Sequence, residues 1–200
     1  MAQNGISRRG ILNSAAFVPL SALVGQVAAE AQKTAPAALD ATARETLAAF
    51  VDRIVPADST GPGALESGAP DYIARALGDF LAPERPSIVK ALADIEAYAL
   101  QSKGKPFRSM GPVERDAVIG AMAANEAKGF EPDSRAVFLR LRQLTIEGMF
   151  SDPYYGGNKG FAGWDLLRYP GSRMAVAPDD QKLEMPKATR RSAYGAQYGH

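Results

Sequence analysis

The chain has no cysteine and a single histidine, His200, which is its last residue. The missing thiols exclude disulfides, thiolate metal centres, iron–sulfur clusters and a cysteine nucleophile. With one terminal imidazole, His-dependent triads and His-rich metal sites are excluded too, and a lone residue of this kind reads as a solvated tail group. An excess of charge of either sign is also missing: 23 basic against 22 acidic residues give a formal net charge of +1. A nucleic-acid binder would carry a basic stripe instead. Neither a G-x-G-x-x-G nor a G-x-x-x-x-G-K-[ST] loop occurs. What is left for catalysis is carboxylate, lysine, tyrosine or arginine chemistry, or none. Within those bounds, 200 residues at 46% hydrophobic and 22% charged composition describe one globular domain.

The amino terminus reads Ser7-Arg8-Arg9-Gly10-Ile11-Leu12, followed by the apolar run Ala15–Val24. Paired arginines after a serine, with Ile11 and Leu12 as the apolar pair beyond, match a twin-arginine export signal. Pro19, Gly25 and Gln26 interrupt the run, which falls short of the roughly 20 residues of a membrane span. Small residues allow cleavage after Ala29 or Ala31, so residues 1–29 are expected to be the signal. The expected location is the periplasm. This route commonly exports folded, cofactor-bearing proteins, yet the chain lacks a cofactor fingerprint. A chain escorting a cofactor-bearing partner reconciles the two.

Residues 30–41 are Ala/Pro-rich and read as a linker. A first helix is expected from Thr42-Ala43-Arg44-Glu45, a capping-box pattern, with Leu47, Phe50, Val51, Ile54 and Val55 as its apolar stripe. Pro56 and the turn-rich Ala57–Gly63 end it. Pro70 opens a second helix that buries Tyr72, Ile73, Ala76, Leu77, Phe80 and Leu81, with Pro83 and Pro86 stopping it. Ser87 is the expected cap of a third, which places Ile88, Ala91, Leu92, Ile95 and Ala99 inward and ends near Gly104. Pro112 starts a fourth with Val113, Ala117, Val118, Ala121 and Met122 as its stripe, closed by Gly129. Asp133 or Ser134 caps a fifth, lined by Val137, Phe138, Leu141, Leu144, Thr145 and Gly148. No segment alternates with period two, so no sheet is expected. The fold class is all-α: a small irregular bundle of about five helices over residues 42–171, with long Gly/Pro loops. Residues 172–200 have too little apolar surface for a core of their own and read as an extended tail, disordered or laid along a partner.

Beyond the fifth helix, Phe150-Ser151-Asp152-Pro153-Tyr154-Tyr155-Gly156-Gly157-Asn158 and Gly160–Gly171 interleave aromatic rings with glycines and carry the one tryptophan, Trp164. Glycines permit close backbone approach, and the rings offer rigid contact area. The combination suits core packing, a subunit interface or, behind both, a sugar-stacking platform. Phe150, Tyr154, Tyr155, Trp164, Arg168 and Tyr169 are the interface candidates, Arg168 through cation–π stacking or a carboxylate fork.

The Glu147–Gly171 segment, the helix exit Ile54-Val55-Pro56-Ala57-Asp58 and the helix start Gly68-Ala69-Pro70-Asp71-Tyr72-Ile73 together resemble the gluconate 2-dehydrogenase subunit 3 family. The resemblance covers roughly residues 42–171, and the run from Asp152 to Trp164 is its most specific part. It implies a twin-arginine-exported accessory subunit of a membrane-associated dehydrogenase of sugars, sugar acids or polyols. The partner it implies is a large subunit of the glucose-methanol-choline oxidoreductase type, which holds FAD. A multihaem cytochrome c subunit, where present, passes electrons to quinone. No catalytic, cofactor-binding or metal-binding residue transfers to this chain.

Two other classes stay open on the residues alone. One is a free periplasmic ligand-binding or assembly protein. The other is a carboxylate enzyme using Asp179 with Asp180 or Glu114 with Asp116, although none of these sits in a pocket motif. Asp152 with Asn158 supplies too few oxygens for calcium and reads as turn chemistry. Arg190-Arg191, preceded by Lys187, is too short a basic cluster to imply lipid binding.

Overall fold

The computed structural model describes residues 39–172, Ala175, Pro178 and residues 190–195. Six α-helices occupy them, α1 (Ala41–Ile54), α2 (Ala69–Gly78), α3 (Arg85–Lys103), α4 (Pro112–Ala123), α5 (Ser134–Phe150) and the short α6 (Ala162–Leu166), with 3₁₀ turns between. The described residues contain no β-strand, and the all-α expectation holds. Residues 1–38, which include the export-signal residues Ser7, Arg8, Arg9, Ile11 and Leu12, lie outside the described part, as do Asp179, Asp180, Lys187 and His200.

α1 is the central helix. It presents Leu47, Phe50 and Val51 to one apolar core that also takes in Ile73 and Leu77 of α2, Leu92 and Ile95 of α3, Met122 of α4 and Leu141 and Leu144 of α5. Burying each such side chain contributes about 1.5–3 kcal/mol. Its start differs from the expected one. Asp40, not Thr42, is the cap: its carboxylate accepts from the Ala43 N–H at 2.7 Å, so the helix begins inside the segment read as linker. Bidentate pairs then fasten the bundle, Arg53 of α1 to Asp116 of α4 at 2.7 and 3.0 Å and Arg140 of α5 to Glu84 at 2.8 and 2.9 Å.

Three other helix boundaries are corrected. α2 stops at Gly78, which puts Phe80 beyond the helix and leaves it 53% exposed rather than buried. Pro83 falls in a 3₁₀ turn, while Pro86 stands in the first turn of α3, where its missing N–H costs nothing. Ser87 therefore lies inside α3 and donates to the Glu84 carbonyl instead of capping. α4 ends at Ala123, well before Gly129, and is rotated from its expected stripe: Val118, Ile119 and Met122 are buried, whereas Val113 is 82% exposed and Ala117 faces solvent.

A polar tie missing from the sequence reading lies at the other end of the core. Glu96 of α3 accepts from Thr46 Oγ1 of α1 at 2.6 Å and from the backbone N–H of Phe107 at 2.9 Å, and Arg108 is 3.3 Å away. One carboxylate thereby joins two helices to the Phe107–Ser109 turn.

Candidate functional site

The aromatic and glycine segment folds back over the end of α5. Gly148, on the buried side of α5, lies against α2 so closely that a Cβ there would stand 2.8 Å from Ala69 Cα. At Gly157 a Cβ would collide with the Gly148 carbonyl oxygen. The chain can therefore lie directly on the helix end, and the Asn158 N–H donates to that same carbonyl at 2.9 Å. Asn158 is fully buried at φ 45°. Its Nδ2 donates to the Ser151 carbonyl and its Oδ1 accepts from the Gly163 N–H, both at 2.8 Å. The residue read as simple turn chemistry is thus the knot joining α5 to α6.

Trp164 points inward at 6% exposure, beside Phe161, and its indole N–H donates to the Phe150 carbonyl at 2.9 Å. Tyr169 meets its ring edge-on at 4.9 Å and is itself 45% exposed. Arg168 is exposed at φ 54°. Phe150, Tyr154 and Tyr155 are half-buried. Of the six interface candidates, then, Trp164 packs within its own chain and the others keep an accessible face.

Three of these elements enclose an open apolar groove of about 680 Å³, lined by Tyr72 of α2, Phe80, Ile146, Glu147 and Phe150 of α5, Ser151 and Tyr155. Phe80 stands between Tyr72 and Tyr155, edge-on to each at 6.5 and 6.3 Å. Sequence reasoning missed its position because the apolar period continued past Gly78 while the helix did not. The Tyr72 hydroxyl donates to Glu147 at 3.2 Å. Burial first, and the Glu147 carboxylate second, push that phenol up to about 12. Glu147 also accepts from Gln143 at 2.8 Å. The Ser151 hydroxyl is buried at the groove with no protein partner.

The described piece of the tail returns to this region. Tyr194 stacks on Tyr154 at 4.0 Å, and its hydroxyl lies 2.8 Å from that of Tyr155. That contact raises the Tyr194 hydroxyl above the ordinary phenol range. Asp152 caps its own turn through the Tyr154 N–H at 3.0 Å and also accepts from Ser192 Oγ at 2.6 Å and the Ala193 N–H at 2.8 Å. Arg75 of α2 donates to the Tyr154 carbonyl at 2.9 Å.

The carboxylate pair Glu114 and Asp116 has structural partners. Glu114 bonds Lys105 and the Gly111 N–H, Asp116 forks with Arg53, and these hydrogen bonds hold both below the usual carboxylate range. Among the described residues no cluster of three or more Asp, Glu or His is placed to hold a metal ion, and no helix is long and apolar enough to cross a membrane.

No curated protein and no solved structure matches the chain significantly. The profile of the gluconate 2-dehydrogenase subunit 3 family, by contrast, matches residues 41–171, which span α1 through the end of the aromatic segment. The chain belongs to the gluconate 2-dehydrogenase subunit 3 family.

Proposed function

We propose that this chain is the non-catalytic small subunit of a periplasmic, membrane-associated dehydrogenase complex that oxidises sugars, sugar acids or polyols. It carries the export signal for a large FAD-binding subunit of the glucose-methanol-choline type, stabilises that subunit in its folded state, and stays bound afterwards. A multihaem cytochrome c subunit is the proposed electron outlet where one is present. FAD and haem c belong to those other chains. The observation that carries the reading is the family match over α1–α6, subunit 3 being part of a larger dehydrogenase.

The groove supports the partner role. An open apolar surface with Phe80 half exposed is costly to leave in water, and aromatic rings are frequent anchors at interfaces. The partner-facing surface in this reading is the groove with Phe80, Phe150 and Tyr155, continued by Tyr154, Arg168 and Tyr169. The paired state of Glu114 and Asp116 supports a subunit whose chemistry is done elsewhere.

The export role rests on Ser7, Arg8, Arg9, Ile11 and Leu12. Replacing Arg8 and Arg9 by lysine should retain the large subunit in the cytoplasm together with this chain, measured by cell fractionation and immunoblotting. A large subunit that still reaches the periplasm in normal amount would contradict the escort role.

A further inference from the structure

The family match stops at residue 171, yet residues 190–195 lie on the Asp152–Tyr155 turn inside the matched segment. The contact is fixed at both ends. At one end Arg190 forks onto Asp165 at 2.6 and 3.3 Å, and the Arg191 carbonyl accepts from the Ser172 N–H at 3.0 Å. At the other, Ser192 is 2% exposed with its hydroxyl on Asp152, and Tyr194 stacks on Tyr154. Asp152 couples the two layers, because the oxygen that caps the Tyr154 N–H also receives Ser192. The Tyr194 hydroxyl reaches Tyr155, whose ring forms a wall of the apolar groove and meets Phe80 edge-on.

We propose that Arg190–Gly195 is a clasp in cis that holds the Asp152–Tyr155 turn and fixes Tyr155 as the outer wall of the groove. The face offered to the dehydrogenase subunit is therefore completed by a segment outside the length shared with the family. This rests on the groove being the partner-facing surface, as proposed above. A blocking cover is the opposite arrangement, and the exposure of Phe80 decides against it: the clasp leaves the outward ring of the groove open at 53%. The clasp acts on Tyr155 through one phenol pair and one shared carboxylate, and adds to the edge-on packing of its ring on Phe80 and Tyr154 in ordering it before binding.

The test uses the full-length chain and the double variant Ser192→Ala, Tyr194→Ala, neither residue being part of the helical core. Hydrogen–deuterium exchange is read at the amides of Tyr154, Tyr155 and Gly156, with α1 and α3 as internal controls of folding. Capture of the co-expressed FAD-binding subunit is measured in parallel. The clasp predicts exchange at these three amides faster by about tenfold or more, with α1 and α3 unchanged, and capture of the large subunit lowered. Unchanged exchange overturns the clasp whatever happens to capture. Faster exchange with equal or increased capture overturns its role in shaping the groove. If the unmodified chain captures no large subunit, the partner reading fails, and the exchange result still judges the clasp by itself.

Discussion

Asn158 combines zero exposure with a left-handed backbone, and each of its side-chain atoms satisfies a backbone group that the end of α5 or the start of α6 would otherwise leave unpaired. Losing a buried partner of this kind costs more than the hydrogen bond itself contributes, since the carbonyl of Ser151 and the amide of Gly163 stay buried. Asn158→Ala is expected to destabilise the chain by about 3 kcal/mol, and Asn158→Gly by about 1 kcal/mol less, because glycine adopts φ 45° without strain. Urea unfolding measures both. A glycine variant as stable as the wild type would show that the side-chain bonds contribute nothing. The sequence marks Gly156-Gly157-Asn158 as residues that tolerate positive φ, and Gly156 at 97° and Asn158 at 45° use that tolerance. Gly157 is there for a different reason, the closeness of the Gly148 carbonyl, and the links from Asn158 to Ser151 and Gly163 follow no local period. Only the folded chain reveals them.

The helices were legible to the extent that an apolar stripe and its stop signals agree. In α5, Asp133 accepts from the Ala136 N–H at 2.8 Å and Val137, Leu141, Leu144, Thr145 and Gly148 are buried as expected, with Phe138 only partly buried and Met149 buried beside them; in α3, Gly104 ends the helix at φ 74°. Where alanines and one glycine dilute the pattern, as in α4, the stripe fits more than one rotation, and the fold buries Ile119 while exposing Val113 and Ala117. In α2 the apolar spacing ran on to Phe80, but Gly78 ended the helix first and turned that ring into the groove.

The α2–α5 contact also has a pH signature. The Tyr72 phenol is held near 12 in the folded chain by burial and by Glu147, against about 10 when unfolded. The unfolded chain is therefore the first to lose this proton as pH rises. The associated stability, about 2 kcal/mol, is fully present below pH 10 and is lost as pH climbs through 12. Tyr72→Phe removes the ionising group, so its unfolding free energy should fall less steeply than that of the wild type between about pH 10 and 11.5. Parallel slopes would mean that Tyr72 is not held neutral by the fold.

For the whole molecule, the lack of cysteine and the single histidine take on meaning beside the family match. Arg53 with Asp116 and Arg140 with Glu84 are tied into structural pairs, and the apolar groove is faced by Phe80, Tyr72 and Tyr155, with Glu147 as its one carboxylate. The proposed role, holding another protein, draws on that surface. The groove could not be read from the sequence, because it joins residues of α2, the Phe80 turn, α5 and Tyr155 that are neighbours only after folding. The aromatic segment that borders it was legible, by its density of rings and glycines.

In the proposed complex the FAD-binding dehydrogenase depends on this chain. Expressing the large subunit with and without it, and quantifying soluble, FAD-loaded large subunit by flavin absorbance after purification, tests that dependence. A loss of at least about fivefold is expected when this chain is omitted, of the size that a stability change near 1 kcal/mol brings about. Equal yields of flavin-loaded large subunit in both cases would contradict it.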